Sequence, residues 1–448
     1  MAFGGGTWLT QNKVLPGTFI NFTSVSRASA TLSDRGVAAL PLPLSWGPEG
    51  EVFEVTSGDF QRNSLNILGY PFDAPAMLPL RELYRNAKTA FLYRLTGQTT
   101  KAICTVSGAA FATALYGGSR GNALRLVITA NVDNTEAFDV STYMDDVLVD
   151  AQIGVTDGAN LQANAFCTFN AGATLAYTAG APFTGGGDGT MSGTAHQNAL
   201  DKLEPFAFNT LGCVAVDDTT KGLYVQYNRR MRDEIGSKFQ LVGYRIPGAD
   251  FEGVISVENL VTGYPVDVPG LGEQGLVYFT LGMQAGCEVN RSCTNRRYNG
   301  ELTVDTNYTQ KQLEEGIKAG KFMYHMAGGA VRVLDDINTL LTLSDTKGAI
   351  FQSNQTIRVC DQIANDTAVL FNTRYIGTVP NDASGRMSLW NDICKLIQEL
   401  ERIRAVEDFD TKTLTVEQGD TKKAVLATIN GLNIVNAMAQ LYMAVIIM

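Results

Sequence analysis

Histidine is nearly missing from this sequence: His196 and His325 are the only two in 448 residues. That excludes a His-rich metal site and leaves acid–base chemistry at most two imidazoles. Proline is scarce, 13 against 45 glycines, which with abundant Thr, Ala and Val points to short strands and tight turns rather than a helical bundle. No run of eighteen or more apolar residues occurs, so no transmembrane helix is expected, and the apolar stretch 441–448 is about half the length one needs. The opening MAFGGGTWLTQNK has neither a basic leading region nor a long apolar core, so no secretory signal is expected. Basic side chains are outnumbered 35 to 45, giving a formal net charge of −10. Neutralising phosphates takes clustered Lys and Arg, so a nucleic-acid partner is not expected.

What is present suits a globular chain. Apolar residues make up 45% and charged residues 18%, enough for real cores and against wholesale disorder. The length fits roughly two to four domains. Seven cysteines, at 104, 167, 213, 287, 293, 360 and 394, are odd in number and scattered. Only Cys287 and Cys293 are near neighbours, as C-x5-C without a second pair, so reduced, buried thiols are expected and a zinc site is not.

Read in order, the pattern changes character four times. Residues 1–24 form an arm: Gly-rich at the start, a turn at Pro16-Gly17, then a short strand carrying Thr18, Phe19, Ile20 and Phe22. Residues 25–96 open an α/β core, with strands at 37–44 and 51–56. A helix is expected over 79–94, where Leu83, Ala87, Ala90 and Phe91 share a face. Residues 97–185 lose helical periodicity and read as an inserted β-sandwich or barrel, with strands at 123–132, 137–143, 147–155, 165–169 and 173–178. Residues 186–345 return to the α/β core, with helices at 195–206, 218–236, 274–287 and 309–319 between strands at 211–216, 239–245, 253–257 and 321–326. Residues 346–448 form an α+β C-terminal region. One helix is capped by Asn354. A second runs over 386–404, with Leu389, Ile393, Leu396, Leu400 and Ile403 spaced 4-3-4-3. Strand-like pieces follow at 412–418, 423–429, 431–435 and 439–447. In the last, Leu441, Met443, Val445 and Ile447 alternate with Tyr442, Ala444 and Ile446, so both faces are apolar and need cover.

Four motifs suggest chemistry, and each has a plainer explanation. Gly270-Leu-Gly-Glu-Gln-Gly275 matches a dinucleotide fingerprint, but a proline breaks the lead-in and no acid stands in 289–300; a glycine-rich loop entering a helix is the better account. Tyr143-Met-Asp-Asp146 copies a polymerase signature for Mg²⁺, yet Asp-Asp is ordinary turn chemistry. Ser192 and His196, after the glycine run 185–189, are only four residues apart, too close for a triad assembled from separate elements. On the 386–404 helix, Lys395, Glu399, Glu401, Arg402 and Arg404 form either a solvated face or a charged interface.

An ordered set of segments carries a further signal. It begins with Leu15-Pro-Gly-Thr-Phe-Ile-Asn-Phe22, Asp34-Arg-Gly-Val-Ala-Ala-Leu-Pro41, Ser45-Trp-Gly-Pro48 and Tyr93-Arg94-Leu95. It continues through Gly117-Gly-Ser-Arg-Gly-Asn122, Gly185-Gly-Gly-Asp-Gly189, Asn290-Arg-Ser-Cys-Thr-Asn295 and Tyr298-Asn-Gly300. It ends with Asp336-Ile-Asn-Thr-Leu340, Ile357-Arg358, Asp361, Tyr375-Ile-Gly377 and Asn381. In this order the segments resemble the sheath protein of contractile phage tails. The resemblance implies a subtilisin-like α/β core without protease activity, no catalytic residues, and no metal or cofactor. It implies a structural subunit that stacks as homohexameric rings into a helical sheath on a tail tube, meeting baseplate and tail terminator proteins in a virion or bacteriocin tail particle assembled in the host bacterial cytoplasm. No membrane insertion is implied. Terminal arms would add strands to neighbouring subunits through Thr18, Phe19, Ile20 and Phe22 at one end and Leu441, Met443, Val445 and Ile447 at the other. Hinges are expected near Gly17 and Gly419, and one C-terminal helix, 354–373 or 386–404, would face the tube, the latter through Lys395 or Arg402. A serine hydrolase on the core and a carbohydrate-binding surface protein using the 97–185 insertion are the alternatives.

Overall fold

The computed structural model describes residues 32–191 and 193–447. The Thr18–Phe22 segment, the Gly17 hinge and Ser192 lie outside them. The molecule is mixed α/β, with two large sheets and four small ones among the described residues.

The first sheet gathers strands distant in sequence. Strands β1 (Val37–Pro43), β2 (Val52–Thr56) and β3 (Thr89–Leu95) come from one stretch; β11 (Thr210–Cys213), β12 (Gln240–Tyr244), β13 (Val254–Val257) and β16 (Lys321–Phe322) come from another. Their spatial order is β16-β13-β12-β11-β1-β3-β2, parallel throughout except for β2 at the edge. Side chains alternate across a strand. In β1, therefore, Ala38, Leu40 and Leu42 face helices α2 (Leu78–Tyr84) and α5 (Leu276–Gly286), while Ala39 faces α3 (Ala195–Leu203) and α4 (Asp218–Arg230). Both faces are covered, which is what an all-apolar parallel strand requires.

Helix α5 is buried on all sides, and it sits unusually close to α2. A Cβ at Gly282 would lie 2.1 Å from the carbonyl oxygen of Leu83, and one at Gly286 the same distance from that of Asn86. Gly282→Ala should therefore force the helices apart. A loss of about 1–3 kcal/mol is expected, as for other overpacked cores, checked by the denaturation midpoint.

The sequence-based helix over 79–94 is only half right. Helix α2 stops at Tyr84, and residues 89–95 form β3, paired along its whole length with β1 and with β2 on its other side. Ala90, Phe91 and the residues after them satisfy a strand as well as a helix, and a slot between two strands decides in favour of the sheet. Helix α1 (Ser57–Leu68) was not legible, because its polar run hides the buried row Phe60, Ser64 and Leu68; its signal is Thr56, which accepts a hydrogen bond from the Asp59 amide as N-cap.

The second sheet is wholly antiparallel. It comprises β4 (Lys101–Val106), β5 (Ala109–Gly117), β6 (Leu124–Ala130), β7 (Phe138–Met144), β8 (Val147–Val155), β9 (Cys167–Phe169) and β10 (Thr178–Thr184), ordered β8-β7-β6-β10-β4-β5-β9. Strand β10 pairs with β6 through Thr178, Ala181 and Pro182, and with β4 through Phe183 and Thr184, so one strand joins the two halves. The expected strand at 173–178 is displaced to this position.

The joint between the sheets is polar. Arg94 is fully buried and donates to the carbonyls of Leu44 (2.7 Å) and Gly47 (3.0 Å), with Glu49 at 3.4 Å and Asp188 at 3.6 Å. Glu49 also accepts from Thr99 (2.7 Å) and the Gly117 amide (3.1 Å), and Asp188 from the amide of Ser119 (3.1 Å). Four separated segments of the family resemblance, around Trp46, Arg94, Gly118 and Asp188, thus meet at one place.

Short pairs complete the core region: β14 (Val261–Thr262) with β15 (Thr303–Val304), and β17 (Tyr324–Ala327) with β18 (Ala330–Val333). Helix α6 (Gln310–Lys318) carries a complete capping box between Thr309 and Gln312. No helix among the described residues is long and apolar enough to cross a membrane.

Candidate functional site: the C-terminal assembly surface

Among the described residues the first three tempting motifs are structural. Gly270 is held by its own loop, its carbonyl accepting from Tyr278 (2.7 Å) and Gln274 (3.1 Å), and no strand leads into it. Asp145 and Asp146 occupy left-handed positions (φ 47° and 64°) in the β7–β8 turn, and both carboxylates are engaged, Asp145 by Arg120 (3.0 Å) and Asp146 by Arg125 (2.8 Å). His196 is buried against the hydroxyl of Tyr224 at 3.0 Å, and burial lowers its pKa below the ordinary imidazole value. Among the described residues no group of three or more His, Cys, Asp or Glu side chains could hold a metal ion.

The unusual surface lies at the C-terminal end. Helices α7 (Asn354–Arg374) and α8 (Ala383–Arg402) pack together through a core that includes Leu370, Leu389, Ile393 and Leu400. Helix α7 is capped by Ser353, whose side chain accepts from the Thr356 amide, and not by Asn354 as the sequence suggested. Asn354 is instead buried, donating to Asp336 (3.0 Å) and to the Ile337 carbonyl (2.8 Å) and accepting from Gln240 (2.8 Å). Helix α8 starts three residues earlier than expected because Asp382 caps it, accepting from the Gly385 amide at 2.8 Å.

Two buried ion pairs weld α7 to the core. Arg358 donates to Asp336 (2.6 Å), Gln284 (2.6 Å) and the Arg291 carbonyl (2.8 Å), and Arg232 makes two 2.7 Å bonds to Asp361. Burial alone would raise the pKa of Asp336. The charge and hydrogen bond of Arg358, with the Cys293 amide and Gln284, outweigh it and hold this carboxyl below its ordinary range. These pairings were invisible in the sequence, although Asp336, Arg358 and Asp361 all lie in segments that carry the resemblance.

Outside this weld the surface is open. Strands β20 (Leu414–Gln418) and β21 (Val425–Ile429) form a two-stranded hairpin whose outer edges have no strand partner among the described residues. Its base is pinned by the Trp390 indole to the Leu414 carbonyl (2.9 Å), and its tip by Asn381 to the carbonyls of Lys422 (3.0 Å) and Ala424 (2.8 Å). Gly419 belongs to this hairpin turn, donating to Ala424 at 2.9 Å, and so is not the hinge of the arm. A groove of about 510 Å³ runs beside β21, lined by Phe371, Val379, Leu389 and Val425 with Lys422 and Lys423 at its rim.

The arm departs elsewhere. Strands β19 (Val406–Glu407) and β22 (Asn433–Ile434) pair, and the next residues are tied to the start of α7: Gln355 donates to the Val435 carbonyl (3.1 Å) and accepts from the Ala437 amide (3.0 Å). After Ala437 the chain leaves the body. Leu441 is 85% exposed, Met443 76%, Val445 71% and Ile447 91%, and Tyr442 and Ile446 are equally bare. The strand expected at 439–447 is absent, because no neighbouring strand is present to satisfy its backbone groups.

Lys395 and Arg402 are both exposed on α8, one heptad apart and hence on the same face. Each leans on an acid of its own helix, Asp392 at 3.8 Å and Glu399 at 2.8 Å.

Comparison with known proteins accounts for this architecture. Family models described as the phage tail sheath protein central domain, beta-sandwich domain and C-terminal domain match residues 189–339, 97–188 and 346–448, and one for the tail sheath domain III N-terminal region matches 35–95. The chain belongs to the phage tail sheath protein family. It is 36% identical to the sheath tail protein of Desulfitobacterium hafniense, whose crystal structure superposes with a TM-score of 0.78 over 90% of this chain and 93% of that one. It is 29% identical to the phage-like element PBSX protein XkdK of Bacillus subtilis, over 94% of this chain and 95% of the relative. The anti-feeding prophage helical sheath in its contracted state shares the fold, with a TM-score of 0.55 at 12% identity over 97% of this chain. This tail sheath protein is a structural component of a tail particle and not an enzyme, which disposes of the hydrolase alternative.

Proposed function

We propose that this sheath protein polymerises as stacked hexameric rings around a tail tube, its subunits linked by terminal arms, and contracts to drive the tube through a host envelope. In this reading the core is a subtilisin-like α/β scaffold with no catalytic role. The observations that carry the proposal are the apolar arm beginning at Met438, which lies bare off its own body, and a hairpin whose outer edges have no strand partner among the described residues. An extended segment added to such an edge gains main-chain hydrogen bonds and buries alternate side chains on the acceptor. Leu441, Met443, Val445 and Ile447 would form one buried row. The Thr18–Phe22 segment is proposed, from its sequence alone, to serve as the second arm. Contraction without nucleotide requires an extended state that is metastable, with a lower-energy packing kinetically blocked.

Partners follow from this role: further copies of the chain, the tube protein, and the baseplate and tail terminator proteins at the two ends. Helix α8 is proposed to face the tube through Lys395 and Arg402. The first half of α7 is buried in the weld to the core and so is the weaker choice. Electron microscopy of the purified chain tests the reading, with ring or tube polymers expected. A double charge reversal, Lys395→Glu with Arg402→Glu, should impair assembly on tubes while shifting stability little, since exposed ion pairs contribute about 0–1 kcal/mol each. Unchanged tube-bound assembly would remove these two residues from the interface.

A further inference from the structure

The assembly reading leaves one small basic face unused. Strand β18 lies between β17 and the segment 295–298. Arg332 stands opposite His325 on one side and opposite Arg297 on the other. Directly opposite residues of antiparallel strands point to the same face, so the three side chains form a row. Tyr324, Val333 and Tyr298, next to them along the three chain segments, are buried in the core, which puts the row on the outer face. Arg297 and Arg332 make the closer kind of antiparallel pair. The main-chain bonds flank it, from the Val333 amide to the Arg296 carbonyl (2.9 Å) and from the Tyr298 amide to the Val331 carbonyl (2.9 Å). In such a pair the two Cα atoms stand about 4.5 Å apart.

Among the described residues nothing neutralises this row. None of the three side chains pairs with a carboxylate, and their one side-chain hydrogen bond runs from Arg332 to the Asn295 carbonyl (3.0 Å). Arg297 is exposed, and Arg332 and His325 are half-buried. Beyond the row the hairpin ends in Gly328-Gly329, both left-handed (φ 58° and 73°), where an added Cβ would meet nothing. Met326, beside that tip, is 56% exposed. Like charges set directly opposite one another destabilise a sheet, so the Arg297–Arg332 pair works against its own fold. Arg and Met are also the residue types enriched where proteins meet.

We propose that the row Arg297–Arg332–His325 is a contact between copies, which receives carboxylates from an acidic surface of a second copy. It rests on the polymerisation reading and names one of the surfaces that reading needs. The charge balance selects the occupant. Each chain carries a formal charge of −10, so copies repel one another as they approach, and contacts of opposite sign must offset that repulsion. A guanidinium matches a carboxylate with two parallel N–H donors. Arg297 keeps every donor free, and Arg332 keeps all but the one given to Asn295. A carboxylate from outside also relieves the opposition of the two arginines, so the strain in the free chain is released on assembly.

The test is the critical concentration for polymerisation of the full-length chain, read by sedimentation. Arg297→Ala removes a side chain that bonds to nothing in its own copy. The melting temperature should hold or rise, while the critical concentration should rise; a residue serving only its own fold would show the reverse. Arg297→Glu should raise the critical concentration at least about tenfold, because like charges then face each other across the contact. Arg297→Lys keeps the charge and should polymerise nearly as wild type. In Arg297→Lys polymers built from isotope-labelled and unlabelled chains, carbodiimide coupling should join position 297 to an Asp or Glu of the other copy. Equal critical concentrations for wild type and Arg297→Glu, or coupling confined to one chain, would overturn the proposal. So would unchanged polymerisation with heparin binding lost in Arg297→Glu, which assigns the row to a polyanion. A wild-type chain that never polymerises would instead sink the assembly reading, and this contact with it.

Discussion

Deleting residues 438–448 should leave a folded, soluble chain that no longer polymerises. Between Met438 and Ile447 the arm's side chains touch nothing that holds the body together, and its one side-chain hydrogen bond, Tyr442 to Gln440, is internal. The melting temperature should therefore move by no more than a few degrees. Polymerisation should fall below detection by sedimentation, because each of these apolar side chains gains about 1.5–3 kcal/mol on full burial, and in the proposed assembly an adjacent subunit buries them. A parity test refines the claim. Serine at Val445 and Ile447 removes one face of a strand, whereas serine at Ile446 removes the other. Unequal effects mark a paired strand with one buried row; equal effects mark a tail that is merely sticky.

The second large effect concerns the weld. Arg358→Ala should cost about 3–5 kcal/mol, because it leaves Asp336 charged, buried and unpaired. For a chain of 448 residues that corresponds to a drop of roughly 3–5 °C in melting temperature. Replacing the pair by apolar residues of similar volume should cost far less, since the penalty lies in the orphaned charge. The pH dependence has a definite sign. Asp336 is depressed in the folded state, so its contribution is complete above the unfolded carboxylate value near ~3.9 and is lost as the pH falls through the lower folded value. The Arg358→Ala variant should show a shallower acid limb than wild type, read by thermal melts at a series of pH values.

Much of this was legible beforehand, for identifiable reasons. Strand β8 was placed residue for residue because turn residues bracket an alternating run. Helices α3, α4, α5 and α6 were found because apolar periodicity lies between Gly, Pro and Asp signals. The misreadings share a cause: tertiary context decided them. Residues 89–95 are a strand because they lie between β1 and β2. Residues 439–447 are not a strand because no described strand lies beside them to pair with. Gly419 resembled a hinge, but a hairpin uses it, and the arm is released eighteen residues further on, where Gln355 grips Val435 and Ala437. The buried bonds among Arg232, Asp361, Arg358 and Asp336 join residues up to 129 positions apart, and no local pattern announces such pairs.

One image would decide the central claim. A cryo-EM reconstruction of the assembled polymer, at a resolution that traces main chain, should place residues 441–447 of each subunit as a strand against β20 or β21 of an adjacent copy. Density showing the same residues folded back onto their own α7 and α8, with no main-chain pairing between subunits, would contradict it.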